Sequence, residues 1–101
     1  MPTTVEQIAV SLGLDEHELF RQALMSFLNE KKRQILQLRL EMLARYQADS
    51  IDDLETKIAQ GIVAEHPAWE DLIVIENLSV RLEELDVHLK ALHNASSDRV
   101  N

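Results

Sequence analysis

From Leu14 to Gln60 the chain contains neither glycine nor proline. Nothing in that stretch forces the backbone to turn. Its residues are mainly Leu, Ala, Glu, Gln, Lys and Arg, which lose little side-chain freedom in a helix. The whole chain holds two glycines and two prolines, and its strand-forming residues do not cluster into alternating runs. The fold expected is all-α: an elongated helical bundle or hairpin of two long helices plus two short ones.

Four helices can be bracketed. The first starts at Thr3, with Glu6 at the capping-box spacing. It carries Val5, Ile8, Ala9 and Leu12, and Gly13 is placed to end it in the left-handed conformation. The second starts at Asp15 and runs to about Ala48, so that a short helix–turn–helix over 3–28 merges into a long helix. Ser50 caps a third helix over 51–60, with Asp52, Asp53 and Glu55 where the helix dipole favours acids and with Leu54 and Ile58 inward. The fourth runs over 67–93, with Pro67 at its first position. Residues 1–94 form one helical domain and 95–101 a polar tail.

The fourth helix carries the most regular pattern. Ile75, Leu78, Leu82, Leu85, Leu89 and Leu92 alternate spacings of three and four, a heptad seam. Such a seam serves a coiled coil between chains or an antiparallel hairpin within one, and the spacing is common to both. A second stripe, Ile73, Val80 and Val87, recurs every seven residues. The long second helix is doubly striped too, with Ile35, Leu38 and Met42 beside Leu36, Leu40 and Leu43, after a broad apolar face at Leu19, Phe20, Ala23, Leu24, Phe27 and Leu28. A helix apolar on two sides is sandwiched, and a chain of 101 residues has little else with which to cover it. Both seam and second stripes are therefore expected to serve protein binding.

The net charge of −8 is unevenly spread. Residues 31–48 hold Lys31, Lys32, Arg33, Arg39 and Arg45 against Glu41, whereas 49–101 hold four bases against twelve acids. An acidic chain suits a basic partner better than nucleic acid, which needs dense Lys and Arg. The basic stretch forms no clean face, and its cations are expected to lie over the apolar stripes.

Chemistry is sparsely represented. There is no cysteine, hence no thiol nucleophile or thiolate metal site. His88 and His93 diverge on a helix; Glu84 and His88 alone make a poor metal site. No phosphate-binding glycine loop is present. No enzyme activity, catalytic residue, metal or cofactor is expected. Trp69 beside Glu70 and Asp71 can be read as a core anchor over the third helix or as an aromatic contact to a partner. With no signal-peptide pattern and no apolar run near the ~18 residues of a membrane span, a cytoplasmic protein that does not engage a membrane is expected.

Two resemblances bear on function. The segment from Ile8 through Leu12-Gly13 and Asp15 to Phe27-Leu28 resembles the helix–turn–helix half of ribbon-helix-helix proteins, dimeric DNA binders that include many antitoxins. The base-reading strand of that family is missing here, so this resemblance implies a packing unit and dimerisation rather than operator binding. The second covers most of the chain: the Leu-Gly helix, Phe27-Leu28-Asn29-Glu30-Lys31-Lys32, Ser50-Ile51-Asp52-Asp53-Leu54-Glu55, Gly61, and Glu65-His66-Pro67-Ala68-Trp69-Glu70-Asp71. It resembles small helical antitoxins of prokaryotic two-gene toxin–antitoxin modules. That implies a cognate toxin encoded next door, neutralised by amphipathic helices buried on its basic, ribonuclease-like groove. A homo-oligomeric structural or adaptor protein and a small DNA-binding regulator are the alternatives.

Overall fold

The computed structural model describes residues 3–100, with side chains through residue 95. Four helices follow one another: α1 (Val5–Leu12), α2 (Glu16–Ala44), α3 (Ile51–Ala59) and α4 (Glu65–Val100). The described residues contain no strand, so the chain is all-α.

The helix ends are set by local chemistry. Thr4, not Thr3, caps α1: its hydroxyl accepts from the Gln7 N–H at 3.1 Å, and the Gln7 side chain accepts from the Thr4 N–H at 3.0 Å. The capping box is thus shifted by one residue, with Gln7 in place of Glu6. Gly13 ends α1 with φ +71, a left-handed conformation that a Cβ would strain. Asp15 caps α2 by accepting from the Glu18 N–H at 2.7 Å, and Ser50 caps α3 by accepting from the Asp53 N–H at 3.0 Å.

Two ends differ from expectation. α2 stops at Ala44 rather than near Ala48. Gln47 takes a positive φ of 53, and the Ala48 N–H returns to the Leu43 carbonyl at 3.0 Å. The turn carries Ala48 into the core, where it is buried. At the other end of the chain α4 remains helical through Val100 instead of closing near His93. His66 is extended, so the regular part of α4 begins at Pro67, where the missing proline N–H costs no helical bond.

α2 and α4 pack against each other along their length as an antiparallel hairpin. Lys32 meets Asp86, Arg39 meets Ser79 and Tyr46 meets Asp71, so rising numbers on α2 pair with falling numbers on α4. α3 lies across the closed end. There Leu54 and Ile58 join Met42, Leu43 and Ala48 of α2 and its turn and Ala68, Leu72 and Ile75 of α4. Leu54, Leu72 and Ile75 are fully enclosed, and burial of each side chain contributes about 1.5–3 kcal/mol.

Beyond that end the molecule is thin. Its extents are 60 × 37 × 16 Å and its radius of gyration is 19.9 Å, against about 13 Å for a compact domain of this length. Among the described residues α1 packs chiefly on α2, and Ala9 is its buried side chain.

Candidate functional site

The heptad seam of α4 faces α2. Ile75 is fully buried, and Leu78, Leu82, Leu85, Leu89 and Leu92 are half-buried along the hairpin. Expected from sequence to bind a partner, it lies on the side of α4 turned to α2, and its Leu78 and Leu85 also open onto a groove on one flank of the hairpin. An antiparallel hairpin uses the same three–four spacing as a coiled coil, so spacing alone could not separate the two.

The second stripe of α4 is different. Ile73 lies roughly 200° around the helix from Ile75 at about 100° per residue, and so points away from α2. Ile73, Val80 and Val87 are 55%, 53% and 65% exposed. Glu76, Glu83 and Glu84 stand among them, all exposed. The outer face of α4 is thus an apolar line flanked by carboxylates, with none of the described elements over it.

On α2 the twin stripes divide differently from expectation. Met42 and Leu43 both enter the core, in one cluster with Leu54 and Ile58 of α3 and with Leu72 and Ile75 of α4. Leu43, assigned from sequence to a free stripe, is 3% exposed. Leu36 and Leu40 remain outside, as does Leu38.

The pair flanking Trp69 is engaged within the chain. Asp71 accepts from the Tyr46 hydroxyl and lies 4.0 Å from Arg45. Glu70 lies 2.7 Å from His66 Nδ1. Neither acid is left as a free contact. Trp69 itself is 46% exposed rather than a core anchor. It sits one turn before Ile73, so it extends the outer face of α4 toward the closed end.

The cations of residues 31–45 are also engaged. Lys31 lies over the Phe27 ring at 5.4 Å, and Lys32 pairs with Asp86 at 2.7 Å. Arg33 pairs with Glu30 at 2.6 Å, holding the Glu30 carboxyl below its ordinary range. Arg39 donates to Ser79 at 3.2 Å. They do not converge on one phosphate-binding face. Among the described residues no group of three His, Cys, Asp or Glu side chains could hold a metal ion. No described helix is long and apolar enough to cross a membrane.

One surface was not assembled by sequence reading. Along one flank of the hairpin, Lys31, Gln34, Ile35 and Leu38 of α2 meet Leu78, Arg81 and Leu85 of α4 in a shallow open groove. Phe20 and Phe27 continue the same face of α2, and Val74 that of α4; all three are exposed. The i, i+3, i+4 spacing of Val74, Leu78, Arg81 and Leu85 was the available signal. Its pairing with α2 could be read only once the register was known.

Comparison with known proteins gives one match. The model of the Uncharacterized protein MJ0235 family matches residues 1–97, and the chain belongs to that family. Neither the curated proteins nor the solved structures contain a match to it.

Proposed function

We propose that this member of the MJ0235 family is a protein-binding module that acts as an antitoxin-like inhibitor of a basic, ribonuclease-like partner. The observation that carries the reading is the outer face of α4. Three aliphatic side chains seven residues apart, Ile73, Val80 and Val87, stand in solvent, and Trp69 precedes them. Exposed apolar lines of this kind mark interaction sites. The flanking acids Glu76, Glu83 and Glu84 give the face a sign. They would steer it toward a cationic surface and help fix its register there, and the aliphatic line would supply the buried centre of the contact. The helical and acidic resemblance to antitoxins of two-gene modules agrees with this, since occupying a basic substrate groove would block a ribonuclease without any chemistry of the inhibitor's own.

The test is co-expression with the product of the adjacent gene. A stable complex that relieves that protein's toxicity, and that Val80→Lys weakens, supports the reading. Failure of the wild-type chain to bind the neighbour or to relieve growth arrest rejects it.

A further inference from the structure

We propose that a second copy of this chain docks on the flank of the hairpin lined by Phe20, Phe27, Leu38, Val74, Leu78 and Leu85, forming a two-fold dimer with four long helices at its centre. This concerns a different face from the outer stripe of α4 and does not depend on what that stripe binds.

Area is the first argument. A compact monomer of 11.6 kDa exposes about 5,800 Å² by the usual scaling. This chain exposes 7414 Å². The excess of about 1,600 Å² is roughly twice the ~800 Å² per partner of a standard stable interface. One such interface can be removed by self-association, and about as much again remains for the outer face of α4.

The second argument is which face can accept its own copy. The outer face of α4 cannot do so readily, because Glu76, Glu83 and Glu84 would be brought against their own equivalents. The flank is apolar at its centre and carries both signs. Lys31 and Arg81 line the groove, while helical spacing sets Glu41 on its rim. Arg81 makes no ion pair within the chain among the described residues. A two-fold contact is isologous, so each base of one copy can be offered to a rim acid of the other. The geometry also suits it: two hairpins laid face to face enclose the half-buried Leu24, Ile35, Leu78 and Leu85 as a four-helix bundle encloses its core.

The experiment is sedimentation equilibrium on the purified full chain across a wide concentration range. The expected mass is twice 11.6 kDa. Phe27→Glu and Leu38→Glu replace side chains already exposed in the monomer, so each should keep the helical circular dichroism while weakening association at least tenfold. Val80→Lys should leave the dimer intact. A wild-type chain that stays monomeric at the highest concentration overturns the proposal. So does a dimer that survives both flank substitutions, or one that Val80→Lys dissociates.

Discussion

The Tyr46 hydroxyl donates to the Asp71 carboxylate, joining the turn after α2 to the second turn of α4. Burial first, and then this bond, push the tyrosine up to about 12 from its ordinary 10.0. A raised value means that the folded state holds the proton more tightly than the unfolded state. The associated stability is therefore complete below pH 10 and is lost as pH rises toward 12. Tyr46 is the single tyrosine, so tyrosinate absorbance should titrate well above the free phenol and fall only part of the way back in Asp71→Asn, because burial of the ring remains. A midpoint near 10 in the wild type would contradict this contact.

Tyr46→Phe should destabilise the fold by about 1.5 kcal/mol, the low end for a hydrogen bond to a charged acceptor, while keeping the ring. At roughly 4–8 °C per kcal/mol for a domain of this size, the melting temperature falls accordingly. Thermal denaturation followed by circular dichroism reads it directly.

The Lys32–Asp86 pair, at 2.7 Å, fixes the antiparallel register near the middle of the hairpin. Both side chains are partly exposed, at 35% and 45%, so the pair's own stabilisation is screened. A double-mutant cycle with Lys32→Ala and Asp86→Ala should give a coupling of about 0.2–1 kcal/mol that shrinks with added salt. A coupling of several kcal/mol would mean that the pair is enclosed in solution.

Core and surface leucines should respond very differently. Leu54→Ala empties a fully buried site between α3 and the hairpin and should cost about 2–5 kcal/mol. Leu40→Ala changes a side chain that is 63% exposed and should stay within about 0.5 kcal/mol of wild type. Urea unfolding midpoints separate the two.

These contrasts show what the sequence could and could not reveal. The caps at Asp15 and Ser50, the stop at Gly13 and the inward Leu54 and Ile58 were legible because each rests on chemistry local to a few residues. The turn at Gln47 was not. No glycine marks its positive φ, and it forms where Ala48 enters the core and Tyr46 reaches Asp71, contacts distant in sequence. The heptad seam was legible as a periodicity, but its partner was decided by the register of α2 against α4. The same register brings Lys31 and Leu38 beside Arg81 and Leu85, so the flank groove could not be seen on either helix alone. The outer stripe of Ile73, Val80 and Val87 was legible from sequence, and its exposure follows from the seam's facing inward.

The central claim is that this exposed, acid-flanked stripe of α4 binds a basic partner encoded beside it. Calorimetric titration of the purified neighbouring gene product with wild-type chain and with Val80→Lys tests it most directly. The account predicts saturable binding by the wild type that weakens with salt and falls at least tenfold in Val80→Lys, with helix content unchanged. Equal binding by the two chains, or no binding by the wild type, would contradict it.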